Sequence, residues 1–435
     1  MKLEDMVLIS VDDHLIEPAD LYQRHIAAKF KDQAPRMIKQ DGVDRWVVED
    51  QSIGAIGLNA VAGRPRDEYG MEPVSHSQMR QGCIDIHKRI DDMNANGLLG
   101  SINFPTLGGF AGIMFSKLKD KSLALATIQA YNDWHIHDWA GAHPGRMIPL
   151  GMLPMWDAEI CAAEIRRIAK LGVHAVSFPD NPAAQGFPSI HNTYWDPVWK
   201  ACADNKVVLC CHIGTGGGAP HASPDSPIEA WITTMPMSIS NSAADWIYAP
   251  MWQKYPDLRM ALSEGGIGWV PYLLERAEYT HEHHHAWTHF KFGKDAKSPR
   301  EVFHKHIMTC FIDDAFGLKN LDDVGEDMVT WECDYPHSDT TWPDSPEYLW
   351  RTFKNAKLTD AQIDKVTHIN AMREYSFDAF AIHGGRENCT VGALRAKAAH
   401  VDTKPVPNLG GAKAAAGEDG VQRSGEINKM FERTQ

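Results

Sequence analysis

The stretches VLISVDDH (7–14), VVLCCH (207–212) and MVTWECD (328–334) decide how this chain is read, because each is a short β-rich run ending on side chains that bind metals. In extended backbone, residues two apart share a face, so Asp12 and His14 can converge on one cation. His212 stands where the second run gives way to the glycine-rich HIGTGGG, and Asp334 stands where Pro336 turns the chain after the third. Singly, each has a plain structural reading: an exposed turn with a helix cap, a satisfied core histidine, a loop cap.

Five further runs of the same kind lie between these: LLGSIN (98–103), MIPLGM (147–152), VHAVSF (173–178), LRMALS (258–263) and HIMTCFI (306–312). Eight strands with room for helices between them predict an α/β protein, a distorted (β/α)8 TIM barrel with inserted helices and loops; an open doubly wound sheet is the alternative. A barrel gathers the ends of its first, fifth and eighth strands into one ring at the catalytic face. Asp12, His14, His212 and Asp334 can therefore surround one ion.

The spacing predicts one helix from Asp157 to Lys170, capped by Asp157, with Glu164, Arg166 and Arg167 on its polar side. Another covers 120–139. The intervals 13–97, 212–257 and 264–305 exceed minimal crossovers and are expected to roof the site with extra helices or loops. HEHHHAWTH (281–289) reads as a surface or subunit-contact patch rather than a second metal site, since adjacent histidines point in different directions. The barrel is assigned residues 1–380, and the Gly- and Ala-rich segment 381–435 an extension or flexible arm.

Composition removes several classes of function. The 43 basic and 57 acidic residues among 435 give a formal charge of -14, which opposes nucleic acid and anionic membranes. No stretch supplies the roughly 20 apolar residues of a membrane span, and the reading is a cytoplasmic protein. Eight cysteines without CxxC spacing read as buried reduced thiols.

The segments VDDH (11–14), PLGMLP (149–154), HIGTG (212–216), SEGGIGWVPYLLERAE (263–278) and CDYPHSD (333–339) resemble the amidohydrolase-related family (amidohydrolase family 2) that includes aminocarboxymuconate-semialdehyde decarboxylase and metal-dependent aromatic acid decarboxylases. The resemblance spans roughly residues 7–380 and implies a barrel, a catalytic divalent metal and a small carboxylated or hydrolysable substrate. The family's first His-x-His pair falls on Asp12-Asp13-His14, so Asp12 replaces one imidazole; the strand-five histidine carries over to His212 and the late aspartate to Asp334. Where the decarboxylase pattern has a catalytic histidine after strand six, this chain has Ser263 and Glu264.

Glu264 is thus expected to move protons, to bind metal or to cap the next helix. With Asp334 it forms the expected catalytic pair. His337 is expected to contact a ligating carboxylate or substrate. Arg89 is read as a structural salt bridge or a cation for a substrate carboxylate, and His174 and His191 as polar walls. Trp195, Trp199 and Trp342 are read as an aromatic enclosure or as packing.

The expected cofactor is Zn or Mn, with Fe and a dinuclear site as further options. The expected reaction is decarboxylation or hydrolysis of a small carboxylated compound, with aromatic acids among the options. Its alternatives are a dinuclear iron or manganese oxygen-using enzyme and a noncatalytic barrel subunit. The expected partners are a small-molecule substrate and a homo-oligomer or related hetero-subunit.

Overall fold

A computed structural model describes residues 1–54, 56–217, 221–293 and 298–434. Gly218 of the HIGTGGG segment and 294–297 of the interval 264–305 lie outside the described residues. All eight anticipated runs form parallel staves: β1 (Ile9–His14), β2 (Gly100–Phe104), β3 (Met147–Ile148 and Leu150–Gly151), β4 (Ala175–Ser177), β5 (Val208–His212), β6 (Met260–Ser263), β7 (Ile307–Phe311) and β8 (Val329–Trp331). Each pairs with its neighbour in chain order, and β1 also pairs with β8, so the sheet closes. The ring passes through β3, whose two segments pair with β2 and β4 on either side of Pro149, a residue with no N–H to give a ladder. The open-sheet alternative is thereby excluded.

Strand alternation sorts the apolar side chains into two cores. Val208 and Cys210 of β5 belong to the cluster inside the ring with Ile9, Ile102, Ile148, Ala261 and Met308. Leu209 and Cys211, which alternate with them, pack outward against the helical layer. At the N-terminal end Ala371, Tyr375 and Leu394 join the inner cluster and plug the ring, leaving the C-terminal end for chemistry.

The helices α1 (Ile86–Asn96), α2 (Lys121–Trp134), α3 (Ala158–Ala169), α4 (Asp196–Asn205), α5 (Ile228–Ile247), α6 (Val270–Thr288) and α7 (Pro299–His306) alternate with the staves. Asp157 caps α3 by accepting from the backbone N–H of Glu159 and Ile160 at 2.9 and 3.1 Å. Asp120 caps α2 in the same way. The segment expected at 120–139 is helical from Lys121 onward and widens to a π-helix at His135–Ala140. Glu164 departs from expectation: α3 turns it inward, where Asn132 Nδ2 donates to it at 2.7 Å and Arg167 pairs with it, so it is a buried, satisfied carboxylate and not a solvated one.

The long intervals carry the roof. α5 and α6 lie in two of them, and residues 13–97 contribute a three-stranded antiparallel sheet, Arg36–Gln40, Val43–Val48 and Gln51–Ile53. The segment after 380 lies on its own chain: the N–H of Val391 donates to Met6, and Ala412–Lys413 pairs antiparallel with Met71–Glu72. All eight cysteines are free and buried, and no helix of the described residues is long and apolar enough to cross a membrane.

Candidate active site

β1 carries a register shift between Ser10 and Asp13. Ile9 and Val11 face the inside of the ring before it; after it Asp12 and His14 do, and Asp13 turns to Ser10, Ser101 and the N–H of Tyr335. The N–H of Asp334 donates to Asp12 at 2.9 Å and that of His14 to Tyr335 at 2.7 Å, which holds the ends of β1 and β8 together. Across the mouth, His212 follows Val208 and Cys210 on the inward face of β5.

These elements bring the anticipated ligands together. His14 Nε2 lies 3.5 Å from Asp12 Oδ1 and 3.4 Å from Asp334 Oδ1; His212 Nε2 lies 3.4 Å from Asp12 Oδ2 and 3.2 Å from His14 Nε2. His212 Nδ1 donates to the Ile213 carbonyl at 2.7 Å, which fixes the ring with Nε2 facing the centre. Glu264 adds Oε2 at 3.0 Å from His212 Nε2, and His337 stacks on His14 at 3.8 Å with Nδ1 2.9 Å from Asp334 Oδ1. The donor atoms form two groups that share His14: Asp12–His14–His212, and His14–Glu264–Asp334–His337.

The backbone is bent to achieve this. Glu264 and Asp334 take φ of 59° and 56°, the left-handed region that side-chain-bearing residues enter at a cost of order 1–3 kcal/mol. The electrostatics are equally forced. Burial pushes Asp12 well above the usual carboxylate range, with Glu332, Glu264 and Asp334 adding to it; burial, Glu264, Asp339 and Glu332 do the same to Asp334. Burial, His337 and His212 push His14 well down, so it stands as a neutral imidazole.

Both carboxylate oxygens of Asp12 and of Asp334 are buried without a hydrogen-bond partner. Unpaired buried carboxylates are costly, and a divalent cation among them supplies the missing charge and the missing partners at once. The donor set of carboxylates and imidazoles therefore fits a divalent metal.

Sequence reading missed Glu332 and Phe110. Glu332 sits behind Glu264, accepting from its N–H at 3.1 Å and from Cys310 Sγ at 2.6 Å. Burial, opposed by the Cys310 hydrogen bond, lifts its carboxyl to about 7. The signal was present: Glu332 stands two residues before Asp334, the spacing that puts side chains on one face wherever a strand continues. Phe110 comes from a loop without such a signal, and its ring lies 4.6 and 4.3 Å from those of His14 and His212.

Glu264, expected to move protons, is held between opposing influences. Burial does push it up, but the His212 hydrogen bond and charge, then His337, outweigh burial and hold it below the ordinary value. A cavity of about 580 Å3 opens beside it, walled by Ile213, Met235, Trp269 and Phe311 and by Glu332 and Asp339, with no lysine or arginine in its lining.

The remaining anticipated residues lie elsewhere. Arg89, buried on α1, donates to the carbonyls of Gly82 and His14 and stacks on Tyr335, so it braces β1 from outside and forms no salt bridge. His174 precedes β4, at the end of the ring opposite the site, with Nδ1 on the Lys206 carbonyl. His191 pairs with Asp245 at the surface. Trp195 is fully buried, donates to Pro188 and packs with Phe178 and Trp199, away from the cavity. Trp342 donates to the Asp92 carbonyl beneath Arg80 and does not reach the first cavity. The HEHHHAWTH histidines lie along the exposed end of α6.

Comparison with known proteins agrees with this architecture. The amidohydrolase family profile matches residues 75–377. A Dictyostelium discoideum 2-amino-3-carboxymuconate-6-semialdehyde decarboxylase is 25% identical over 267 residues, 60% of this chain and 68% of that one. Among solved structures, an amidohydrolase from Mycobacterium avium subsp. paratuberculosis superposes with a TM-score of 0.63 at 18% identity, covering 85% of this chain and 99% of its own. The Novosphingobium aromaticivorans 5-carboxyvanillate decarboxylase, complexed with manganese and 4-hydroxy-3-methoxy-5-nitrobenzoic acid, superposes with a TM-score of 0.59 at 19% identity, covering 86% and 99%.

Proposed function

The chain belongs to the amidohydrolase family, and from that premise we propose that it is a metal-dependent decarboxylase of a small aromatic carboxylic acid. The observation that carries this reading is the junction of a buried carboxylate–imidazole donor set with a cavity of about 580 Å3 that has Ile213, Met235, Trp269 and Phe311 on its walls. Such apolar walls help to strip water from a carboxylate whose charge disappears as carbon dioxide leaves.

Asp12, His14, His212 and Asp334 would hold the metal, with manganese or zinc suiting a thiolate-free, carboxylate-rich set. Bound there, a divalent ion supplies Lewis-acid polarisation and stabilises negative charge on the substrate. Trp269, Ile213 and Phe311 would orient the ring and exclude water. Glu264, at the edge of the cavity, would pass the proton that replaces the carboxyl group. Glu332, lifted to about 7 directly behind it, is the neighbouring carboxyl that holds a proton near neutral pH.

The test uses 5-carboxyvanillate, the substrate named for one structural relative, labelled at the carboxyl carbon. Manganese-loaded protein should release labelled carbon dioxide, and Glu264→Gln should lower turnover about 10²- to 10⁴-fold with unchanged metal content. Wild-type turnover in that variant would overturn the proton-transfer role. Product oxygen drawn from labelled water, without carbon dioxide, would replace decarboxylation with hydrolysis.

A second reading is a dinuclear iron or manganese enzyme that uses oxygen, favoured by the two donor groups sharing His14. It predicts two metal ions per chain and turnover dependent on molecular oxygen. Two further assignments accompany the main proposal. Residues 1–380 form the catalytic barrel with 381–435 as an arm strapped to it, and the eight unpaired thiols support a reducing, cytoplasmic setting.

A further inference from the structure

The histidines of HEHHHAWTH (281–289) leave α6 in different directions. His283 stacks on Tyr279 at 3.8 Å and its Nδ1 donates to the Tyr279 carbonyl at 2.9 Å, whereas His284 Nδ1 accepts from Trp287 Nε1 at 3.1 Å. His289 ends the helix with a φ of 58°. His281 and His285 differ from these. Four residues apart, they share one face of the helix, and their ring centres lie 5.3 Å apart with the planes at 37°.

Both rings are held in place. His285 Nδ1 donates to the His281 carbonyl at 2.9 Å, so Nε2 is its atom for a ligand. The chain after α6 folds back and sets Phe292 edge-on to the His281 ring at 4.9 Å; Phe290 and Phe292 in turn pack on Tyr248 at 5.1 and 5.6 Å. Among the described residues no side chain forms a hydrogen bond or ion pair with either histidine. Burial, reinforced by the His285 charge, holds His281 below the usual imidazole value, so it stands as a neutral donor above pH 7. With metal–nitrogen bonds of about 2.0–2.1 Å, and about 1.2 Å more to each ring centre, two imidazoles on a tetrahedral ion stand about 5 Å apart. The observed 5.3 Å demands little side-chain movement.

We propose that His281 and His285 form a surface site for a borderline transition-metal ion, Cu(II) or Zn(II), in addition to the buried centre at the barrel mouth. Imidazole suits these ions, and Cu(II) is the most tightly held of the divalent first-row series. Manganese favours oxygen ligands, so a pair of imidazoles discriminates against it. The helix sets the spacing and Phe292 fixes the His281 ring, which reduces the rotamer freedom lost on binding. Two protein ligands leave the remaining coordination positions to water or to an added chelate.

The probe is Cu(II)–iminodiacetate, a chelate that leaves adjacent positions open for two imidazoles. It is added to zinc-loaded full-length protein freed of loosely held metal, since zinc is silent in electron paramagnetic resonance. Wild type, His281→Gln, His285→Gln and His283→Gln are compared by copper resonance, with zinc content measured alongside. His285 and His283 are exposed, so their variants should keep the fold. His281→Gln and His285→Gln should each hold one copper fewer per chain than wild type, its affinity weakened about tenfold or more, and His283→Gln should match wild type. The resonance of that copper should show splitting from imidazole nitrogens. No copper on the wild type, equal copper on all four proteins, an equal loss in His283→Gln, or copper taken up only as zinc is released each overturns the site.

Discussion

Replacing Asp334 by Asn keeps the size of the side chain and removes one negative charge from four crowded carboxyl groups. In the wild type both Asp334 oxygens are buried and unpartnered, so a divalent ion binds the folded chain and not the unfolded one. At a free concentration one hundred times the dissociation constant it adds about 2.7 kcal/mol of stability. For 435 residues an unfolding entropy of about 2.1 cal/mol/K each totals about 0.9 kcal/mol/K, so manganese should raise the melting temperature by about 3 °C. In Asp334→Asn, affinity lower by about 100-fold leaves about 0.4 kcal/mol at the same concentration and a shift of about 0.5 °C. Under chelation the order should reverse: the variant, relieved of repulsion from Glu264, Asp339 and Glu332, should melt at or above the wild type. Scanning calorimetry at pH 7.5 with and without manganese measures all four values. An equal manganese shift in both proteins, or a metal-free variant several degrees below the wild type, would refute the ion-binding role and make Asp334 a structural residue.

Trp195→Ala should cost about 3–5 kcal/mol of stability and leave KM unchanged, because the ring packs on Phe178 and Trp199 rather than on substrate; a raised KM in a fully stable variant would return it to the cavity wall. Glu17 offers a pH test away from the metal ligands. Burial, against hydrogen bonds from Leu107, its own backbone and Thr106, raises its carboxyl from 4.5 to about 7. A raised acid binds its proton more tightly when folded, so this stability is complete below about pH 4.5 and lost as pH rises through 7. Between pH 5 and 8 the wild type should lose roughly 3 kcal/mol more than Glu17→Gln in urea unfolding, and parallel curves would count against the assignment.

What the sequence by itself determined is the set of eight staves and much of the donor set. The runs are short, apolar and separated by helical spacing, and β-strand alternation is local: Val208 and Cys210 face inward, so His212 does too. The same rule would have exposed Glu332 beside Asp334. It fails at β1, where inward Ile9 and Val11 assign position 13 to the interior and positions 12 and 14 to the outside. Only the shift between Ser10 and Asp13 reverses this, and it depends on pairing with β2, about 90 residues away.

Tertiary structure likewise decided Arg89, Trp195, His174 and His191. Residue type promised each a place at a substrate, and nothing in the local sequence says whether a side chain faces a cavity, the helical layer or the far end of the ring. A second cavity, which shares Asp339, Thr341 and Tyr348 with the first, is the extreme example, since its walls come from 63–69, 338–348 and 403–405. Local patterns fix which way a side chain leaves its own strand, because that depends on adjacent dihedral angles. What it meets depends on contacts that exist only once distant segments have packed.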